Sequence, residues 1–388
     1  MTDPQSTKGW GIVDFDWSNA KDVWAKSKPM DCEEMLVEQA RKTTVASPDT
    51  TVWVYRNGIK ALPWYTLVRE KVTDPAYAPW FLKFSDAVVA NHSLAHVPVC
   101  DTNWDPPKCT TLYHDQTQTP GYPTGDGVCA PPGCDVGSVP VGEYLFDPRA
   151  ANLSIHGQTF MEWYVDEYLF GPTGAGNPNI SGFYFDDTWG YCQQQKRVCP
   201  SEMSHHAVDD MGLGTSELGD ILDAFNWVMD TAYATILHRG KFTWNQFWNA
   251  GSTCCIGCPD PMVKQDSCAK DVRSLCAKDS YAQKYAMLYG FSPGCGGSTS
   301  NLTDPDTDIA AFLLTRGGHA WLGHGWSGCS KVYERTAALD QDYGVPLDLC
   351  SETAPGSQVF TREWSKSTIT LDCNTWKGTI VLKDEADV

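Results

Sequence analysis

A short apolar run that ends in two carboxylates constrains the fold of this chain most strongly. Residues Gly182–Phe185 are apolar or aromatic and predict a strand buried on both faces, as in a parallel sheet. Asp186 and Asp187 follow directly. Functional groups of parallel α/β proteins gather where strands end, and successive residues of a strand point to opposite faces. We therefore expect one aspartate to face a site and the other to brace a loop. The alternative is that both aspartates cap the following helix.

Predicted strands and helices alternate along most of the chain. The predicted strands are Trp10–Asp16, Thr51–Arg56, Glu143–Asp147, Gly182–Phe185, Lys241–Phe247, Ala320–Leu322 and, as an eighth, Val359–Glu363. The predicted helices are Cys32–Thr43, Trp64–Val72, Tyr77–Asn91, Phe160–Phe170, Leu218–Leu237 and Asp308–Thr315, while Tyr281–Phe291 fits either type. This rhythm predicts an α/β fold, more specifically a TIM-like (β/α)8 barrel that forms a single domain over residues 1–388.

Two cysteine-rich segments and the tail interrupt this rhythm. Residues from about 99 to 141 are rich in Cys, Pro and Gly and predict a disulfide-stapled insertion on the barrel. The stretch Gly251–Cys276 predicts a second stapled loop. Alternating residues from about 366 to 383 predict a terminal β-hairpin.

The sixteen cysteines indicate an oxidising compartment. Several lie close together in sequence, namely Cys100 with Cys109, Cys129 with Cys134, Cys192 with Cys199, and Cys268 with Cys276. This pattern favours disulfides, because the CxxC at Cys255–Cys258 has no second CxxC at zinc-finger spacing. Glycosylation sequons begin at Asn91, Asn152, Asn179 and Asn301. No signal peptide is visible, so we expect it to have been removed or trimmed and the protein to be secreted.

Charge and hydropathy exclude several classes of partner. A net charge of −19 argues against binding to nucleic acid or to anionic membranes, which need clustered Lys and Arg. No apolar run is long enough to span a bilayer, so we expect a soluble protein and, from its size, a monomer. No GxGxxG or P-loop stands between a strand and a helix, which disfavours nucleotide chemistry, and we expect no cofactor.

Acidic and aromatic residues recur at the predicted strand ends. Sugar rings stack on aromatic faces while their hydroxyl groups bind carboxylates and amides, so this combination predicts a carbohydrate partner. The candidate catalytic residues are Asp186, Asp187 and Asp147. The candidate substrate-binding residues are Asp14, Asp16, Trp17, Arg56, Trp189, Trp244, Asn245, Gln246, His319, Trp321 and His324.

Three segments resemble glycoside-hydrolase-like TIM barrels. The run Gly182–Asp187 is similar to the fourth-strand motif of those families, Tyr144–Arg149 resembles the segment before it, and Phe360–Trp364 resembles a strand that precedes a hydrophobic hairpin. The resemblance covers the barrel skeleton. It implies a carbohydrate-active fold in which Asp186 is the leading catalytic carboxylate.

Glycoside hydrolysis needs a second carboxyl group. The fifth predicted strand has the amides Asn245 and Gln246 where an acid would be expected. The candidates for the second group, in order of preference, are Asp187, Asp147 and then Asp16 or Asp14, and a carboxyl group from a loop is a further alternative. Without such a group the chain would be a carbohydrate-binding protein on a degenerate barrel. A metal-dependent hydrolase that uses His319 and His324 with Asp14 and Asp16 is a third possibility.

Overall fold

A computed structural model describes most of the chain. The described residues are 3–17, 31–91, 99–102, 104–115, 135–192, 195–201, 206–244, 262–284, 286–290, 304–323 and 336–384. The chain divides into two compact units, residues 1–241 and residues 242–388, each of which is described by itself.

A parallel sheet lies at the centre of the first unit. The strands of this unit are β1 Ile12–Phe15, β2 Thr51–Asn57, β3 Lys60–Ala61, β4 Cys100–Asp101, β5 Lys108–Cys109, β6 His114–Asp115, β7 Glu143–Leu145, β8 Ser154–Ile155, β9 Gln158–Thr159, β10 Gly182–Asp186, β11 Trp189–Cys192 and β12 Arg197–Pro200. Strand β2 pairs in parallel with β1 on one side and with β10 on the other. Its β-branched and aromatic residues suit this buried central position.

The strand that carries Glu143 is not a neighbour of β10. Strand β7 instead pairs antiparallel with β3 and β6. The predicted barrel would place these two consecutive predicted strands side by side, and the described pairing differs from that expectation. The remaining strands of this unit form hairpins, β4 with β5, β8 with β9, and β11 with β12.

Two helices of the first unit begin at a side chain that caps them, the third and the fourth in chain order. The helices of this unit are α1 Cys32–Ala46, α2 Thr66–Thr73, α3 Asp86–Ala90, α4 Phe160–Trp163 continuing as a π-helix over Tyr164–Leu169, α5 Ala207–Met211 and α6 Thr215–His238, with 3-10 turns at Pro4–Thr7, Pro75–Trp80 and Pro148–Ala150. At α4 the Thr159 hydroxyl accepts from the Glu162 amide, and the Glu162 carboxylate accepts from the Thr159 amide.

One predicted helix of the first unit is wrong. Residues Tyr77–Asn91 form a 3-10 turn, an extended stretch in which Phe81 and Lys83 make β-bridges, and then α3. Pro79 lies in the 3-10 turn at the start of the predicted helix, and Ser85 starts a new helix by accepting from the Val88 amide.

Large aromatic side chains fill the core of the first unit. Trp53, Trp64, Trp80 and Trp163 are fully buried. Trp80 lies 5.6 Å from Trp163, ring centroid to ring centroid, and Phe146 lies 5.4 Å from Phe160. Such contacts stabilise a core beyond the burial of apolar area alone. Many of the aromatic residues therefore serve packing.

The second unit contains a helix where we expected a loop. Its elements are β13 Phe242–Trp244, α7 Met262–Leu275, α8 Tyr281–Lys284, β14 Ala286–Gly290, α9 Pro305–Thr315, β15 His319–Gly323, a 3-10 turn Ala337–Asp340, β16 Ser351–Glu352, β17 Val359–Glu363, β18 Ser367–Asp372 and β19 Lys377–Leu382. Helix α7 occupies much of the predicted stapled loop Gly251–Cys276. The ambiguous segment Tyr281–Phe291 contains α8 and then β14, which pairs in parallel with β15.

The strand that we assigned as the eighth of a barrel belongs to another sheet. Strands β16, β17, β18 and β19 form an antiparallel sheet in that order, and the predicted terminal hairpin is β18 with β19. Helix α9 packs on this sheet, with Ile309 and Leu313 in one buried cluster with Ile369. A Cβ atom on Gly378 would lie 2.6 Å from the Ala310 Cβ, so glycine allows the close approach of β19 to α9.

Four disulfides join described cysteines. Cys100–Cys109 and Cys192–Cys199 close short hairpins, as their spacing suggested. Cys268 and Cys276 are not partners: they pair with Cys373 and Cys350, across 105 and 74 residues. Cys129, Cys134, Cys255 and Cys258 lie outside the described residues. Cys32 is buried and unpaired in the structure.

The barrel stays a prediction. The described strands form a mixed α/β structure with several sheets, and no closed barrel is formed by them. In the described part of the chain, no helix is long and apolar enough to cross a membrane.

Candidate functional site

Polar side chains gather on one face of the parallel sheet, at the carboxyl ends of its strands. Tyr184 of β10 pairs with Tyr55 of β2, and Asp186 pairs with Asn57. Residues in register on parallel strands share a face, and so do alternate residues of one strand. These four side chains therefore project from the same face. Asp14 of β1 pairs with Trp53, which precedes Tyr55 by two residues on β2, so the Asp14 side chain projects from this face as well.

The Asp186 carboxylate is half-buried and accepts three hydrogen bonds. Tyr184 donates its hydroxyl to Oδ1 at 3.0 Å, Tyr55 donates to Oδ2 at 3.2 Å, and the Asp187 amide donates to Oδ1 at 3.0 Å. Burial and the adjacent Asp187 charge raise the pKa of Asp186 above its ordinary value, against the opposing effect of the Tyr184 hydrogen bond. Asp186 is thus held firmly while its proton affinity is increased.

Asp187 is enclosed by donors. Asn57 donates from Nδ2 to Oδ2 at 2.6 Å, Ser201 donates to Oδ1 at 3.0 Å, and the Lys60 ammonium lies 3.0 Å from Oδ2. The Asp187 side chain is fully inaccessible to solvent. These contacts tie the Asp187 carboxylate to β2, to β3 and to the end of the β11–β12 hairpin.

The backbone around the two aspartates is tightly constrained. Asp187 has a φ of 59°, in the left-handed region that residues other than glycine rarely adopt. The Asp186 carbonyl accepts from the Gly58 amide at 2.9 Å. A Cβ atom on Gly58 would lie 3.1 Å from the Asp187 carbonyl oxygen, so the turn after β2 packs directly against the strand end.

Lys60 links this strand end to the neighbouring antiparallel sheet. Its ammonium lies 3.0 Å from Asp187 Oδ2 and 3.0 Å from Glu143 Oε2, and all three side chains are largely or fully buried. Although burial opposes it, the charges of Glu143 and Asp187 raise the pKa of Lys60 above its ordinary range. Lys60 is therefore a buried cation between two carboxylates.

Asp14 and Asp16 lie on the first strand and just after it. Burial, followed by the charge of Asp16, raises the pKa of Asp14 well above its ordinary value, and Asp186 adds to the effect. The Asp14 Oδ1 atom is inaccessible to solvent and has no hydrogen-bond partner among the described residues. The structure thus brings Asp14, Asp16 and Asp186 into one electrostatic cluster.

Two tryptophans that we expected to contact sugar are core residues. Trp17 and Trp189 are each 3% exposed. Trp17 packs against Trp64 at 4.9 Å and against Tyr55 at 6.4 Å, ring centroid to ring centroid. Neither ring offers a face to a ligand, which corrects the substrate-binding role that we predicted for them.

Arg56 also has a structural position. Its side chain is fully buried and donates to the backbone carbonyls of Tyr168, Tyr55 and Thr173. Strand alternation explains this placement, because Arg56 lies between Tyr55 and Asn57 and so projects from the opposite face. Its role in packing replaces the predicted contact with substrate.

The structure gives Asp147 a local role. Its carboxylate binds the Arg149 guanidinium at 2.8 and 2.9 Å and accepts from the Arg149 amide at 3.1 Å, which caps the 3-10 turn Pro148–Ala150. Asp147 follows the antiparallel strand β7 rather than a strand of the parallel sheet. These contacts do not support a catalytic role.

The other candidates belong to the second unit. His319 and Trp321 lie on β15, and their rings are each 5.1 Å from the Phe242 ring. Trp244 ends β13. Asn245, Gln246 and His324 lie outside the described residues. Across the described part of the chain, no group of three or more His, Cys, Asp or Glu side chains is arranged to hold a metal ion.

Sequence reasoning missed several members of this cluster. Tyr55, Asn57, Lys60 and Ser201 contact the two aspartates directly. A signal was available for two of them, because alternate polar residues at the end of a predicted parallel strand face the same edge as the acids of its neighbours.

Comparisons with known proteins identify no family for this chain. No protein-family model matches the chain, and no curated protein matches it. Its function must therefore be inferred from the geometry of the site.

Proposed function

We propose that this protein is a hydrolase that cleaves glycosidic bonds by carboxylate catalysis, with Asp186 as the central catalytic residue. The observation that carries the proposal is the electrostatic cluster of Asp14, Asp16 and Asp186, which lie on or just after the two strands that flank β2 in the parallel sheet. Glycoside hydrolysis requires two carboxyl groups that differ in protonation. Mutual repulsion among neighbouring carboxylates favours one proton held within such a group.

The hydrogen bonds of Asp186 favour a particular role for it. Tyr55 and Tyr184 both donate to its carboxylate, and burial together with the neighbouring negative charges raises the pKa of each tyrosine, so both keep their protons. Asp186 is therefore an acceptor, suited to act as nucleophile or base. Asp16 or Asp14 would supply the acid, since Asp187 and Asp147 are occupied by Lys60 and Arg149.

An exposed aromatic ring on the hairpin that follows β10 supports a sugar substrate. Tyr191 of β11 is 58% exposed, and the hairpin that carries it is closed by the disulfide Cys192–Cys199. An exposed ring on a rigid hairpin is suited to stacking on the apolar face of a sugar. A neutral polysaccharide also fits the net charge of −19 better than an anionic polymer would.

The disulfides support a location outside the cytosol. Four pairs join described cysteines, and such bonds persist in oxidising compartments. In this proposal the protein is secreted and acts on extracellular carbohydrate. The exposed Asn152 of one sequon is available for glycosylation.

The test is to incubate the protein with a panel of neutral polysaccharides and to measure turnover as the release of reducing ends. Asp186→Asn should lower turnover by at least about 100-fold, because the amide cannot act as nucleophile or base. Asp16→Asn and Asp14→Asn identify the second carboxyl group. Asp166→Asn is the matched control: Asp166 is exposed and paired with Arg239, so its loss should leave turnover unchanged.

Two outcomes would overturn the proposal. Full turnover in Asp186→Asn would remove the assigned catalytic residue. Binding of an oligosaccharide by calorimetry without any release of reducing ends would instead identify a carbohydrate-binding protein.

A further inference from the structure

A continuous chain of polar contacts runs beneath the Asp186 carboxylate. Ser201 donates to Asp187, Asp187 contacts the Lys60 ammonium, and Lys60 contacts Glu143. These four residues come from the end of the β11–β12 hairpin, the end of β10, β3 and β7. The chain of contacts therefore joins the parallel sheet to the β11–β12 hairpin on one side and to the antiparallel sheet of β3 and β7 on the other.

Asp187 controls the orientation of Asp186 through the backbone. Its amide donates to Asp186 Oδ1, and that geometry depends on the left-handed conformation of Asp187. A left-handed residue other than glycine costs free energy and persists only where its surroundings impose it. Here hydrogen bonds from Asn57 and Ser201 and the ion pair with Lys60 hold both oxygens of the Asp187 side chain and so stabilise the left-handed conformation.

We propose that Lys60 and Asp187 are positioning residues, in which the Lys60 ammonium anchors the Asp187 carboxylate and Asp187 in turn presents Asp186 to the reacting atoms. The catalytic role of Asp186 rests on the function proposed above, whereas the electrostatic coupling between the three residues does not. Neither residue needs to touch substrate in this arrangement.

The same contacts argue against Asp187 as the second catalytic carboxyl group. Both of its oxygens are engaged, by an ammonium, an amide and a hydroxyl, and its side chain has no access to solvent. A catalytic acid must release its proton to a substrate within hydrogen-bond reach. Asp187 would have to lose its anchoring contacts to do so.

Lys60 and Asp187 act on Asp186 with opposite signs. Several charged or titratable groups surround Asp186. On the parallel sheet they are Asp14 and Asp16 from β1 and its end, Tyr55 from β2, and Tyr184 and Asp187 from β10 and its end. From the antiparallel sheet Lys60 of β3 acts on Asp186, and Glu143 of β7 lies beyond Lys60. The Asp187 charge raises the pKa of Asp186, and the Lys60 charge lowers it. Removing the Asp187 charge and removing the Lys60 charge should therefore shift the pKa of Asp186 in opposite directions.

The experiment measures the apparent pKa of Asp186 by carbon NMR of protein labelled with ¹³C-carboxyl aspartate. The Asp186 signal is assigned by its loss in Asp186→Asn. Asp187→Asn should lower the apparent pKa of Asp186, and Lys60→Met should raise it. Lys60→Arg keeps the charge and should stay near the wild-type value. Lys42→Met removes an exposed lysine that pairs with Glu38 and should change nothing.

Shifts in the same direction, or none in either variant, would overturn the inference. If Lys60→Met does not fold, as judged by circular dichroism, Asp187→Asn decides the matter alone, because the amide is isosteric with the carboxylate. This titration needs no substrate. Opposite shifts in a protein that cleaves no polysaccharide would therefore retain the coupling and reject the proposed hydrolase.

Discussion

Tyr55 and Tyr184 lie in register on neighbouring parallel strands and donate their hydroxyl groups to different oxygens of the same carboxylate, that of Asp186. The amide of Asn57 donates to the Tyr55 oxygen at 2.7 Å and continues this line of donors away from Asp186. A carboxylate held from two sides in this way has little rotational freedom. Such preorganisation is what a catalytic or binding group requires.

Removing one of these donors should change the pH dependence of the proposed activity. In Tyr184→Phe the lost hydrogen bond no longer lowers the pKa of Asp186, so this pKa rises further. If turnover needs ionised Asp186, the acidic limb of the pH–rate profile moves to higher pH. Tyr343→Phe, which removes a hydroxyl that donates to the Ala338 carbonyl in the second unit, is the control. An acidic limb that stays in place would show that Asp186 does not govern it.

Gly58→Ala should disturb the site through the backbone. The new Cβ would lie 3.1 Å from the Asp187 carbonyl oxygen and 3.5 Å from the Phe225 ring, so the strand end must shift. We expect a stability cost of about 1–3 kcal/mol in urea unfolding, together with reduced turnover. Gly219→Ala on α6 meets nothing within 4 Å and should gain about 0.5–1 kcal/mol with turnover unchanged. Equal effects of the two changes would contradict the close packing at Gly58.

The buried Glu33 should make stability depend on pH. Burial raises the pKa of Glu33 from 4.5 to about 7, although the nearby Arg56 charge opposes the shift. Between these two values the folded protein holds a proton that the unfolded chain releases. The contribution of Glu33 to the free energy of unfolding is therefore fully present below about pH 4.5 and is lost as the pH rises through about 7. The full effect is about 3 kcal/mol.

Glu33→Gln isolates this effect, because the glutamine does not titrate. Urea unfolding between pH 4 and 8 should show the stability of the wild type falling relative to the variant as the pH rises. A constant difference across this range would show that Glu33 does not titrate there. Glu34→Gln, a change on the same helix next to Glu33, is the matched comparison.

The two long-range disulfides should contribute most to the stability of the second unit. Cys268–Cys373 and Cys276–Cys350 close loops of 105 and 74 residues, whereas Cys100–Cys109 closes one of 9. Closing a longer loop removes more entropy from the unfolded chain, up to about 4.7 kcal/mol for a loop of about 100 residues. Replacing both cysteines of a pair by serine should therefore lower the melting temperature more for either long-range pair. The reverse order would contradict the loop argument.

Alkylation followed by mass spectrometry checks the same pairing. Cys32 should be modified without reductant, but only after denaturation, because the native thiol is buried. Cys268, Cys276, Cys350 and Cys373 should need reductant as well. Modification of Cys32 in the native protein would contradict its burial.

Local patterns in the sequence were sufficient to locate the elements that carry the site. The apolar run Gly182–Phe185 is β10, and the β-branched run that begins at Thr51 is β2. The two short-range disulfides were also visible, because nearby cysteines of one hairpin face each other. Periodicity and spacing act over a few residues, and these features depend on nothing further away.

Tertiary structure decided which of these elements meet. Arg56 and Asn57 are adjacent in sequence, yet one is buried among aromatic rings and the other contacts Asp187. Cys268 pairs with Cys373 rather than with the nearer Cys276, and Lys60 forms an ion pair with Glu143, which lies far along the chain. Strand pairing and side-chain packing between distant segments set these contacts, and the free energy that selects them comes from burial summed over the whole core. The sequence by itself therefore determined the strands and their acids, whereas the folded chain decided that Asp186 bonds to Tyr55 and Tyr184 and that Asp187 bonds to Asn57, Ser201 and Lys60.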